Sequence, residues 1–140
     1  MIRTALTDLF DLRHPIVLAP MGSVSGGHLA ASVSNAGALG LVGGGYGDME
    51  WLRTELSRVK GDASGAWGVG LITWSIKPQA LDLVLSYRPQ AVLLSFGDPR
   101  PAATPRRIGE SASRSATTVP TPAVSRIRQT ASAHTPSADK

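Results

Sequence analysis

The sequence predicts an α/β protein built from consecutive strand–helix units on a parallel sheet. Three observations predict it. Short apolar runs alternate with stretches of helical periodicity over residues 1–98. Each apolar run ends in small, mostly glycine residues. Both features stop near Asp98, where the composition changes abruptly.

The elements follow in order. Pro15–Ala19 (PIVLA) is a short apolar run closed by Pro20, the pattern of a strand buried on both faces. A small-residue loop, MGSVSGG, follows. His28–Asn35 then places Leu29, Ala30, Val33 and Ala36 at helical spacing, with Gly37 as the stop. Leu39–Val42 is the second strand, ending in GGGYG. Asp48 caps a helix whose apolar positions are Met49, Leu52, Leu56 and Val59. Its polar positions are Glu50, Arg53, Glu55, Arg58 and Lys60. Trp67–Ile72 is the third strand, interleaved with Gly68 and Gly70. Pro78 suits the first turn of a helix carrying Leu81, Leu83, Val84 and Leu85. Ala91–Leu94 is the fourth strand, ending in Ser95–Phe96–Gly97–Asp98. Strand and helix at this spacing form right-handed βαβ units.

Charge marks the same seam. Residues 1–98 carry 7 Lys/Arg and 8 Asp/Glu, whereas 99–140 carry 7 and 2. The later segment has no Leu, Phe, Trp, Tyr or Met, and Ser, Thr and Pro fill 18 of its 42 positions. Burial on that scale cannot offset roughly 1–2 kcal/mol of backbone entropy per residue. Residues 99–140 are therefore expected to be a disordered basic tail. Such a composition is what an out-of-frame reading of GC-rich DNA gives, so the folded part is expected to be cut short there.

Composition excludes some chemistries. With no cysteine, the chain has neither disulfides nor a thiolate-ligated metal. Asp8, Asp11 and Arg13 interrupt any signal peptide, and polar residues break the uncharged stretch 15–47 before it could span a membrane. A cytoplasmic protein is expected. His14, His28 and His134 are scattered, and a metal site is not expected. No P-loop is present, and Gly43, Gly45 and Gly47 miss the dinucleotide fingerprint because Asp48 holds its last position.

Two architectures fit this rhythm, an open doubly wound sheet and a (β/α)8 barrel. In both, ligands sit at the carboxyl ends of the strands. Those ends are Ala19–Ser23, Gly43–Gly47, Gly70–Trp74 and Ser95–Asp98. Glycine there lets a flat ligand approach the backbone.

Residues 15–56, with APMG at Ala19–Gly22 and LAASVSNAGALG at Leu29–Gly40, resemble the start of nitronate monooxygenases. WGVG at Trp67–Gly70 and SFGDP at Ser95–Pro99 extend the match. The resemblance implies the N-terminal half of an FMN-binding (β/α)8 TIM barrel, about four βα units, in an enzyme oxidising alkyl nitronates with dioxygen. It implies that Ala19, Pro20, Met21 and Gly22 line one side of the flavin ring, to which a polarizable Met21 is well suited. Gly70 stands where many members carry a flavin-contacting asparagine, and Ser95 and Phe96 end the strand facing the same cavity. The family's catalytic histidine, in a GxEAGGH-like segment, has no counterpart after Asp98, so no catalytic residue is assigned and the truncated chain is expected to be inactive alone.

Other readings carry different expectations. Related barrels with the same opening include FMN-dependent enoyl-acyl-carrier reductases. A half-barrel acting as a non-catalytic interaction fragment would expose a parallel edge able to pair with a complementary C-terminal fragment. The basic tail could contact anionic surfaces. Against nucleic acid, Arg106, Arg107, Arg114, Arg126 and Arg128 are dispersed and have no aromatic neighbours to stack on bases.

Overall fold

A computed structural model describes residues 2–96. The expected tail, the seam at Asp98 and most of the SFGDP motif lie outside the described residues.

The elements run α1 (Ala5–Phe10), α2 (Gly27–Asn35), β1 (Gly40–Gly43), α3 (Met49–Asp62), β2 (Trp67–Ile72), α4 (Pro78–Ser86) and β3 (Ala91–Ser95). The three strands are parallel in the order β1-β2-β3. Val42, Val69 and Val92 stand in one register row, and Gly43, Gly70 and Leu93 in the next. Sequential order without a reversal is the arrangement of a barrel wall. A doubly wound sheet of order 3-2-1-4-5-6 shares this order over its first three strands and reverses only beyond them.

The run 15–19 departs from expectation. It makes one parallel bridge, Val17 to Leu39, rather than a full strand. Leu18 N–H donates to Leu39 O (2.9 Å), and Leu39 N–H donates to Ile16 O (3.0 Å). Ile16 and Val17 are exposed instead of buried on both faces. Prolines at 15 and 20 bound the run, and a proline offers no N–H to the ladder.

Alternation divides the sheet into two faces. Val42, Val69 and Leu71 turn towards the helices, where they are buried with Leu52, Leu56, Val59, Leu81 and Val84. Leu39, Leu41 and Ala91 turn the other way and pack with Leu12, Leu6 and Phe10. The helix α1 supplies Leu6 and Phe10. Its six residues were too few for a periodic signal. Thr4 and Thr7 fix its start through a reciprocal capping box.

Helix α2 buries Gly27, Ala30, Ala31 and Ser34 rather than the face through Leu29, which is exposed. The small residues allow close approach. A Cβ added at Gly40 would overlap the carbonyl of Ala30, and one at Gly27 would overlap the carbonyl of Glu55. Gly37 adopts a left-handed conformation (φ 89°) just past the helix, as a stop signal requires.

The cap of α3 is as expected, with Asp48 Oδ1 accepting from Trp51 N at 2.7 Å. Glu55 is not on the polar face. It is 4% exposed, accepts from Gly27 N–H through Oε2 (2.6 Å), and pairs through Oε1 with Arg58 (2.6 Å). The carboxylate thus caps the N-terminus of the neighbouring helix, where a negative charge is favoured.

Candidate functional site

At the carboxyl end of the sheet the inward face loses its side chains. Gly43 and Gly70 are adjacent on this face, and the loop from residue 20 to 26 folds over them. A Cβ at Gly43 would overlap the Met21 carbonyl, and one at Gly70 would overlap the Pro20 ring. Backbone groups and a proline ring therefore form the floor of a cleft. The cleft is lined by Pro20, Gly22, Gly45, Gly70, Leu71, Ile72, Ser95 and Phe96.

Hydrogen bonds hold the loops around it. Ser25 is fully buried, and its N–H and Oγ both donate to the Met21 carbonyl (2.9 and 3.0 Å). Gly43 N–H donates to Ser25 O (2.8 Å), which ties the first loop to β1. Gly44 N–H donates to Gly70 O (2.8 Å), and Ile72 N–H to Gly45 O (3.3 Å), which joins the second and third loops. The Thr73 N–H and hydroxyl both donate to Ser95 O (2.9 and 2.7 Å), which joins the third to the fourth. Trp51 Nε1–H donates to Gly43 O (2.9 Å), so α3 braces the floor from outside.

Two of the four described non-glycine residues with positive φ lie at the cleft, the other two, Asp11 and Arg88, following α1 and α4. Ser23 (φ 61°) and Phe96 (φ 60°) are non-glycine residues in the left-handed region, alongside Gly45 (φ 51°) and Gly47 (φ 82°). Such residues persist only where their surroundings over-determine them, and they cluster at ligand sites.

Among the described residues the lining contains no charged side chain, and Ser95 supplies its one hydroxyl. Among the described residues no group of three or more His, Asp or Glu could hold a metal ion. His28 lies on the surface, its Nδ1 3.0 Å from Asp62 Oδ2, and His14 is also exposed. No described helix is long and apolar enough to cross a membrane.

Of the five residues expected to meet a cofactor, Pro20, Gly22 and Gly70 line the cleft, joined by Ser95 and Phe96. Ala19 and Met21 do not. The Met21 side chain is 51% exposed, and its carbonyl, not its thioether, faces the floor. Gly45, Leu71 and Ile72 belong to the strand ends named from sequence. Ser25, Trp51 and Glu55 support the loops from outside, and nothing in the linear pattern marked them.

Parallel strands taken in chain order, with a cleft at their carboxyl ends, are the arrangement of a (β/α) barrel. Two solved structures have the same fold. FabK from Thermotoga maritima matches with a TM-score of 0.70 at 26% identity, over 94% of this chain and 42% of that one. Its M276A mutant matches with a TM-score of 0.68 at 28% identity, over 81% and 38%. Both are TIM-barrel proteins.

The nitronate monooxygenase family model matches residues 3–90, and the chain belongs to that family. A probable nitronate monooxygenase of Staphylococcus haemolyticus is 38% identical over 66 residues, 47% of this chain and 18% of that protein. The (3aS,4S,5R,7aS)-5-hydroxy-7a-methyl-1-oxo-octahydro-1H-indene-4-carboxyl-CoA dehydrogenase of Mycobacterium tuberculosis is 33% identical over 70 residues, 50% of this chain and 20% of that protein. The chain thus spans about a fifth of these two relatives. Their names place the family among oxidoreductases.

Proposed function

We propose that this chain supplies one side of an FMN site in a flavoprotein that oxidises alkyl nitronates with dioxygen to carbonyl compounds and nitrite. The observation that carries the reading is the bare floor at the strand ends. Pro20, Gly22, Gly45 and Gly70 present backbone and a flat ring where side chains would otherwise stand. That surface fits one face of a planar heterocycle. The lining fits no phosphate, which needs clustered donors or cations.

When bound, the flavin would supply the redox chemistry, passing electrons from the nitronate to dioxygen. The chain's own residues position it. The Pro20 ring and the Gly22 and Gly45 backbone would set the plane of the ring. Leu71, Ile72 and Phe96 would exclude water from its edge. No described lining residue is a proton acceptor at neutral pH, so these residues orient the cofactor and do not move a proton. The reading assigns the barrel unit to residues 1–98 and treats 99–140 as a separate segment.

Nitrite release and oxygen uptake from a nitronate test the reading. The chain alone, with no counterpart of the family's catalytic histidine, is expected to hold FMN without turnover. Completed by a complementary C-terminal fragment and loaded with FMN, it is expected to release two nitrites from a nitronate for each dioxygen consumed, and none without FMN. A carboxyl-CoA dehydrogenase among the relatives favours one alternative, an FMN-dependent reductase of enoyl thioesters. Consumption of reduced nicotinamide with an enoyl thioester, and no nitrite from any nitronate, would select it.

A further inference from the structure

Five large apolar side chains are exposed around the carboxyl ends of the strands: Met21 (51%), Val24 (62%), Tyr46 (69%), Trp74 (67%) and Phe96 (78%). Single exposed apolar residues need no explanation, but a cluster around one cleft does. Two of them form a defined unit. The rings of Tyr46 and Trp74 meet edge to face, with centroids 5.7 Å apart and planes at 62°. Tyr46 follows the cleft residue Gly45, and Trp74 lies two positions after the cleft residue Ile72.

The loops that carry the pair are fixed. Ile72 N–H donates to Gly45 O, and Thr73 is bound twice to Ser95 O. Ser75 and Ile76 N–H groups both donate back to Ile72 O (both 3.2 Å). The loops that carry the pair are therefore held beside the cleft by these hydrogen bonds, and the two rings stand next to its lining residues rather than among them. The floor beside them carries no charge.

We propose that Tyr46 and Trp74 form an apolar wall at the cleft mouth that receives the organic substituent of the substrate. It favours an aromatic or bulky apolar group over a short alkyl chain. The proposal rests on the nitronate reading above for the substrate's reactive end. The occupant follows from the pair's place on the two loops that supply Gly45 and Ile72 to the cleft, and from its lack of charge.

The test uses the full FMN-loaded chain, without oxygen, and follows the indole N–H resonance of Trp74, assigned by its loss in Trp74→Phe. The probes are the nitronate anions of phenylnitromethane and nitroethane. The phenyl probe is expected to shift the resonance saturably and to bind at least ten-fold more tightly than the ethyl probe. Tyr46→Ala is expected to collapse that ratio towards one, with ethyl binding unchanged. Equal affinities, or a Trp74 resonance that neither probe moves, would overturn the wall. So would a Trp74 resonance shielded from a soluble paramagnetic agent, since another part of the chain would then cover it. A parallel nitrite assay, run on the chain completed by a complementary C-terminal fragment, separates the two claims. Nitrite without a phenyl preference removes the wall and keeps the nitronate reading. A phenyl preference at Trp74 without nitrite does the reverse.

Discussion

The ring of Pro20 occupies the space above Gly70 that a side chain on β2 would take, and a Cβ at Gly70 would overlap both Cβ and Cγ of that proline. The relationship makes the two positions one unit. With glycine at 70, that space is left to the proline ring. Gly70→Ala is expected to destabilise by about 1–3 kcal/mol, the usual cost of overpacking. Pro20→Gly in the same molecule removes the overlap. A double-mutant cycle by urea unfolding is expected to show coupling of at least about 1 kcal/mol. Additive effects would mean that the two residues do not meet.

Two helical glycines are expected to respond to alanine with opposite signs. Intrinsic propensity favours alanine by about 1 kcal/mol at either position. At Gly61, a Cβ would meet nothing within 4 Å, so Gly61→Ala is expected to stabilise by about 0.5–1 kcal/mol. At Gly27 the same group would overlap the Glu55 carbonyl and crowd Arg58 and Val59. Gly27→Ala is expected to destabilise by about 1–2 kcal/mol, as overpacking outweighs propensity. Thermal and urea unfolding of both variants give the signs directly.

Glu55 joins α2 to α3. Glu55→Ala strands the Gly27 N–H, which is buried, and an unsatisfied buried donor costs about 1–3 kcal/mol. Arg58→Ala is expected to cost less, within about 1 kcal/mol, because the arginine is half exposed and solvent screens the pair. Glu55→Gln, which keeps an acceptor for Gly27, is expected to fall between them. Equal losses for Glu55→Ala and Arg58→Ala would assign the effect to the ion pair rather than to the cap.

Ser34 carries a buried hydroxyl oxygen with no hydrogen-bond partner among the described residues. Removing it relieves a desolvation cost and raises helix propensity. Ser34→Ala is expected to raise stability by about 0.5–1 kcal/mol, read as an increased denaturation midpoint. A loss of stability would show that the hydroxyl is satisfied in solution.

Much of this architecture was legible because burial and periodicity coincide. Leu52, Leu56 and Val59 recur at helical spacing and are all fully buried, and Trp67–Ile72 forms a strand with the expected bounds. The run at 15–19 misled because apolar composition reports burial only where something covers the strand, and Ile16 and Val17 lie at the edge of the described sheet. Glu55 misled because a charged residue on a helix reads as solvated until a second helix brings it an N–H to accept. At the site, Pro20, Gly22 and Gly70 were named from the family resemblance, and small residues at the strand ends pointed only to the region where the cleft lies. Ala19 and Met21 fall outside the lining where the chain turns, with Met21 N–H bonded back to Ala19 O. The Tyr46–Trp74 contact joins two loops 28 residues apart, and no local pattern encodes it.

The central claim is that the glycine and proline floor holds a flavin, and FMN fluorescence on titration with the full chain tests it most directly. The account predicts saturable quenching at one FMN per chain. It also predicts affinity at least ten-fold weaker in Gly22→Leu, whose side chain would enter the cleft while circular dichroism stays unchanged. A folded chain that leaves FMN fluorescence untouched, or a Gly22→Leu variant that binds as well as the parent, would contradict it.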